Sequence, residues 1–231
     1  MGDSYTAGPL IPITEATTGC FRSDSNYPSL LATALKVKHF TDASCSAAET
    51  RHVTEAQVTV ADTKVRAQID AVRRGTDLVT IGIGGNDFGL FGQGLVNIGE
   101  IPPDAVRTIG SRIEAVLGLV QRRAPQAKVV LVGYPQIIDP AQSCRALPFP
   151  RDVRERMASL QRRLNTVMAA AATATGAIFV DLVPVSAGHG ICSKRPWVNG
   201  QDVARGGAAP YHPFGVEMRA VAREIELALG S

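Results

Sequence analysis

Three residues of this 231-residue chain are of types that together do acyl chemistry. Ser4 lies in Gly2-Asp3-Ser4-Tyr5-Thr6-Ala7-Gly8. Glycine and small residues there suit a tight turn from strand into helix, which leaves a hydroxyl clear of the backbone. Asn86 lies in Gly84-Gly85-Asn86-Asp87, where two glycines let the backbone approach a ligand closely and the asparagine offers an amide donor. His212, in Pro210-Tyr211-His212-Pro213-Phe214, is a candidate general base. Singly, each has an ordinary explanation: a turn, an Asx cap, a packed ring. Together they supply a nucleophile, a donor for a developing oxyanion and a proton acceptor. Of the other histidines, His189 belongs to a cysteine-bearing segment, and His39 and His52 read as strand and surface loop.

Such groups need a scaffold, and the hydrophobic pattern supplies one. Tyr27–Val37 has helical spacing, and 38–44 (KHFTDAS) reads as a short strand. Lys64–Arg73 is amphipathic with Val65, Ile69 and Val72 on one face, and Gly75 stands where a C-cap glycine is expected. DLVTIGIGGND reads as a buried strand ending in a glycine loop. Then follow a helix over Pro103–Arg123, a buried strand over Lys128–Pro135 and a long helix over Arg151–Thr175 ended by Gly176. A strand in AIFVDLVPV, an irregular stretch from His189 to Tyr211 and a helix over Phe214–Leu229 complete the chain. Strands apolar on both faces and alternating with helices imply a parallel sheet covered on both sides. Ligands of such sheets bind beyond the carboxyl ends of the strands, so the loops that matter are GDSYTAG, ASCSAAET, GIGGNDFG, GYPQ and the stretch leading to YHPF.

With 45% hydrophobic residues the chain fits one large α/β domain over residues 1–231. Its charge of +3 is dispersed. The pairs Arg73-Arg74, Arg122-Arg123 and Arg162-Arg163 sit late in expected helices, where cations suit the helix dipole, so no nucleic-acid partner is expected. No apolar run approaches the ~20 residues of a membrane span. Neither a Cys-x-x-Cys nor a zinc-type histidine spacing occurs, and GIGGND lacks the G-x-G-x-x-G spacing of a dinucleotide loop. No metal or cofactor is therefore expected. Cys20, Cys45, Cys144 and Cys192 all lie in polar stretches, which favours disulfides and hence an exported protein over four free thiols. Three pairings are possible. Pairing in chain order would close loops of 25 and 48 residues, each contributing roughly 3.5–4 kcal/mol in the loop-entropy account.

Gly2-Asp3-Ser4, Gly84-Gly85-Asn86-Asp87 and His212-Pro213 resemble the first, third and last blocks of the SGNH hydrolases, the GDSL-type esterases and lipases. The likeness runs over nearly the whole chain and is closest to secreted bacterial lipases carrying Gly-Asp-Ser-Tyr. It implies a flavodoxin-like three-layer α/β/α sandwich with a central parallel sheet, hydrolysing acyl esters through an acyl-enzyme. Ser4 would be the nucleophile and His212 the base, with an oxyanion hole of the Ser4 N–H, the Asn86 amide and a backbone N–H from the second block. That block is Cys45-Ser46-Ala47-Ala48, with Ala47 at the family's usual glycine. The usual aspartate three residues before the histidine is Ala209, so a Ser4–His212 dyad is expected, the Ala209 carbonyl orienting the ring. The likeness also implies the disulfides Cys20–Cys45 and Cys144–Cys192. Trp197 and Tyr211 are candidates for the wall of an acyl pocket. The expected partner is a small-molecule or lipid ester, met by a monomer without stable membrane insertion. Alternatives within the fold are an acetyl-ester deacetylase, a phospholipid hydrolase or thioesterase, and a catalytically impaired binding module. Family members carry an apolar strand before the first block, so that strand and a leader for export are expected upstream of Met1.

Overall fold

Two β-branched segments and one aromatic one form the centre of the molecule. In the computed structural model, which describes residues 1–92, 101–202 and 207–230, β5 (Leu78–Ile81), β6 (Lys128–Val132) and β7 (Ile178–Val180) make a parallel sheet in that order. Leu78 to Ile81 face Lys128 to Leu131, and Val130 to Val132 face Ile178 to Val180. Successive β6 side chains enter opposite cores, as a period of two requires. Val129 and Leu131 pack with Ile109, Ile113 and Leu117 of α3 (Ala105–Arg123) and Leu164 and Met168 of α4 (Arg151–Thr175). Val130 and Val132 pack with Leu31 of α2 (Tyr27–Ala34) and Met218, Val221 and Ile225 of α6 (Gly215–Leu229). The result is the α/β/α sandwich, each fully buried aliphatic side chain contributing roughly 1.5–3 kcal/mol.

The remaining elements are short. They are α1 (Ser4–Ala7), the two-residue hairpins β1 (Thr14–Glu15) with β2 (Arg22–Ser23) and β3 (Gln57–Val58) with β4 (Lys64–Val65), and α5 (Val183–Ser186). A third cluster of Ile138, Leu147, Met157, Ile191 and Val198 lies around the Cys144–Cys192 bridge. The α4 helix matches its periodicity, with Gly176 left-handed at its end.

Three stretches differ from their sequence patterns. Residues 38–44 form no ladder and end where Cys45 N–H meets the Gly2 carbonyl at 3.0 Å. Lys64–Arg73 is not an α-helix: its start pairs in β4, and Gln68–Ala71 forms a 3₁₀ turn. There the Gln68 side chain accepts from Gly2 N–H at 2.7 Å and donates to Gly2 O at 2.9 Å. Those buried bonds outweigh the weak preference of a two-turn segment for helix, and Gly75 is consequently no cap. AIFVDLVPV leaves the sheet after Val180, because Asp181 accepts from Val183 N–H and Pro184 suits the first turn of α5. Of the arginine pairs only Arg122-Arg123 ends a helix; Arg162-Arg163 is mid-α4, and all six side chains are exposed.

Both disulfides pair in chain order, Cys20–Cys45 and Cys144–Cys192. Cys20–Cys45 is buried, and Ser46 N–H donates to the Cys20 carbonyl at 3.0 Å, so the bridge fixes the residues that lead into Ala47. Replacing Cys20 and Cys45 together by serine is expected to lower the unfolding free energy by roughly 3.5 kcal/mol and to reduce ester hydrolysis. Urea titration and a rate assay on the same preparation measure both.

Candidate active site

The site hangs from the edge of β5. Met1 N donates to the Thr80 carbonyl at 2.9 Å, Gly82 N–H to Met1 O at 3.3 Å and Asp3 N–H to Gly82 O at 2.9 Å. The chain therefore runs parallel to the strand that ends in the Gly84–Asp87 loop, with Gly2 bridging Gly82. Gly2 has φ +152°, and a Cβ there would lie 2.5 Å from the Gly82 carbonyl; only glycine fits. Asp3 then caps α1 by accepting from Tyr5 N–H at 2.9 Å, and left-handed Gly8 closes it. Ser4 is the first residue of that turn, where a backbone N–H has no partner within the helix.

His212 arrives from the far end of the chain. Its Nε2 is 2.8 Å from Ser4 Oγ, and its Nδ1 is 2.7 Å from the Pro210 carbonyl. Nδ1–H donating to Pro210 leaves Nε2 to accept from the serine, the tautomer that bonding assigns. The orienting carbonyl is thus Pro210, not the expected Ala209. Tyr211 has φ +61°, which swings the Pro210 carbonyl to the ring, and the Ala209 carbonyl accepts from His212 N–H and Asn199 Nδ2 instead.

Asn86 shares a cavity of about 190 Å³ with Ser4, His212, Tyr211, Phe91, Ile137, Ile138, Met157 and Ala158. Its Nδ2 donates to the Ala48 carbonyl at 2.9 Å, which ties the second block to the third. Fully buried Asp87 adds to that tie by accepting from Thr50 N–H at 2.8 Å, Thr50 Oγ1 at 2.5 Å and Arg112 Nη1 at 3.0 Å. Ala47 is exposed, lies outside the cavity lining and has φ +62°. Trp197 also lies outside that lining, because its ring stacks on His189 with centroids 4.4 Å apart. Tyr134 and Glu217 are among the residues around the site that carried no assignment from the sequence. Tyr134, in the GYPQ loop, accepts from Gly85 N–H at 2.8 Å and donates to Asp3 Oδ2 at 2.5 Å. Glu217, on the buried face of α6, adjoins a small void lined by Tyr5 and Tyr134. The one legible signal for Tyr134 was its place just after a buried strand.

With a serine, an imidazole and an amide converging, residues 1–213 also match the family model of the GDSL-like lipase/acylhydrolase family. The chain belongs to that family. Lipase 2 of Streptomyces coelicolor is 33% identical over an alignment covering 100% of this chain and 84% of that protein. The extracellular lipase of Streptomyces rimosus superposes with a TM-score of 0.81 at 28% identity, covering 98% of this chain and 97% of the other. Phospholipase A1 of Streptomyces albidoflavus gives 0.80 at 26%, covering 100% and 97%. This GDSL-family chain is a serine hydrolase of carboxylic esters.

Electrostatics in the family site favour a neutral base. Burial pushes the His212 pKa below its ordinary 6.5, only partly offset by the Pro210 carbonyl, so the imidazole is uncharged and ready to accept a proton at neutral pH. Burial raises Asp3 to about 7, against the bonds from Tyr134 and Tyr5. Burial alone raises Glu217 to about 8, and among the described residues its Oε2 has no hydrogen-bond partner.

Two measurements probe these features. Ala47 holds a left-handed conformation that costs a side chain about 1–2 kcal/mol, whereas glycine costs roughly 0.5–1 kcal/mol in unfolded-state entropy. Ala47→Gly is therefore expected to raise stability by about 0.5–1 kcal/mol in denaturant titration while keeping activity. Glu217 has a folded pKa above its unfolded value, so its contribution is complete below pH 4.5 and is lost as pH rises through about 8. Glu217→Gln is expected to match the parent at pH 4.5 and to exceed it by up to roughly 4 kcal/mol at pH 8, read as thermal midpoints at both pH values.

Proposed function

We propose that the chain is a single catalytic domain that hydrolyses esters of apolar acyl chains through a Ser4–His212 dyad. The observation that carries this is the 2.8 Å Ser4–His212 contact, with Nδ1 held by the Pro210 carbonyl, bordering an apolar cavity. Ser4 Oγ attacks the ester carbonyl while His212 Nε2 takes its proton, then returns it to the departing alcohol. The Ser4 N–H and the Asn86 amide receive the oxyanion. A water activated by His212 releases the acid. The Pro210 carbonyl keeps the tautomer and accepts from the imidazolium, without the full charge a carboxylate would bring.

The cavity favours chains longer than acetyl, since an acetyl group would leave most of about 190 Å³ unfilled. Relatives named lipase and phospholipase A1 support lipid esters as the substrate class. Acetylxylan esterases at 16% identity share the fold alone. Two disulfides and an extracellular relative support work outside the cell. The dispersal of the exposed arginine pairs supports a reading without a nucleic-acid partner.

A fluorophosphonate probe is expected to label the parent and not Ser4→Ala, with His212→Ala labelled far more slowly. Asn86→Ala is expected to lose about 10² in kcat with little change in KM. Along a p-nitrophenyl ester series, each buried methylene contributes ~0.8 kcal/mol, or about fourfold in kcat/KM, until the cavity is full. Acetate turned over better than butyrate and hexanoate would refute the apolar-chain reading.

A further inference from the structure

Tyr134 has no role in the proton transfers, yet its side chain touches both the first block, at Asp3, and the third, at Gly85. It follows β6, and α4 clamps its backbone: Tyr134 N–H donates to Asn165 Oδ1 at 3.0 Å, and its carbonyl accepts from Asn165 Nδ2 at 2.8 Å. Its ring stands edge-on to Tyr5 at 5.3 Å and to Phe91 at 4.9 Å between centroids. The hydroxyl is thereby carried on a rigid, buried arm. It accepts from Gly85 N–H, the residue before Asn86, and donates to Asp3 Oδ2, the residue before Ser4. Gly85 is itself confined, for a Cβ there would lie 2.6 Å from the Phe91 ring and 3.0 Å from the Tyr134 hydroxyl, and its carbonyl accepts from Phe91 N–H at 2.8 Å.

From this geometry we propose that Tyr134 is a positioning residue, its hydroxyl a strut that sets the spacing between the nucleophile Ser4 and the oxyanion donor Asn86. The proposal rests on the roles given above to Ser4 and Asn86. An oxyanion donor acts only when its nitrogen lies about 2.7–3.1 Å from the developing charge, so a displaced turn weakens the transition state more than the bound ester. Without the hydroxyl, Gly85 N–H and Asp3 Oδ2 lose partners in a buried site where water does not readily replace them. Packing alone makes a different demand. A tyrosine that only fills the core would lose stability on losing its hydroxyl, with no preference for the transition state and no dependence on Asn86.

Tyr134→Phe keeps the ring and removes the strut. It is expected to lower kcat about tenfold with KM within twofold, and to lower it less than twofold further when placed on Asn86→Ala, because the loss acts through that amide. Amide exchange at Gly85 is expected to become at least tenfold faster. Asp3→Ser breaks the strut at its other end, its side chain being too short to reach Tyr134, while retaining an oxygen for the α1 cap, and serves as the second variant should Tyr134→Phe not fold. The same kcat-specific loss, small on Asn86→Ala, is expected. An equal factor in both backgrounds, a change confined to KM, or unaltered Gly85 exchange would overturn the proposal. Failure of the wider reading looks different: Asn86→Ala would keep its kcat, and the strut would then stand or fall on the Gly85 amide alone.

Discussion

Everything in the site is arranged around how residues 1–3 attach to the edge of β5. Three backbone hydrogen bonds and the contact of Gly2 with Gly82, which tolerates no side chain, decide where Ser4 stands. Because the same strand ends in the Gly84–Asp87 loop, nucleophile and amide share one support. His212, separated from Ser4 by 208 positions, is brought to it by α6 and by loop contacts such as Ala209 N–H with the Pro9 carbonyl. The Gln68 side chain, bonded to both the N–H and carbonyl of Gly2, holds the attachment from the other side.

Around this attachment, loops rather than helices carry the chemistry, and loops need cross-links to stay in place. Cys20–Cys45 and the Thr50–Asp87 bonds restrain the second block, whereas Cys144–Cys192 restrains the segment near Ile137 and Ile138 of the cavity wall. Buried bonds of this sort stabilise only when every polar group is matched. Asp87 meets that condition through Thr50 and Arg112, and Glu217 does not. Some strain and mismatch falls near the site: left-handed Tyr211 and the raised pKa values of Asp3 and Glu217. Such features are retained where function needs a fixed geometry at some expense of stability.

Much of this was legible beforehand. The long apolar and amphipathic segments, β5, β6, α3, α4 and α6, announced themselves because their periodicity spans enough residues to outweigh local exceptions. Ser4, Asn86 and His212 could be singled out because each is a reactive type in a loop beyond a strand or before a helix. The short segments were less legible. Lys64–Arg73 looked helical and is a strand end with a 3₁₀ turn, since its fate rests on Gln57 across the hairpin and on Gly2 far earlier in sequence.

By itself the sequence determined which residue types exist to do acyl transfer, which loops carry them, the class of fold, and through family likeness the disulfide partners. Those features are local patterns, or patterns repeated along the chain. Only the tertiary structure decided that Pro210 rather than Ala209 holds the imidazole, that Trp197 turns to His189 and away from the cavity, and that Tyr134 joins Asp3 to Gly85. Each of these depends on where a carbonyl, a ring or a hydroxyl points within a few ångströms. That is set by backbone angles such as the positive φ of Tyr211 and by packing partners from distant segments, neither of which residue type encodes.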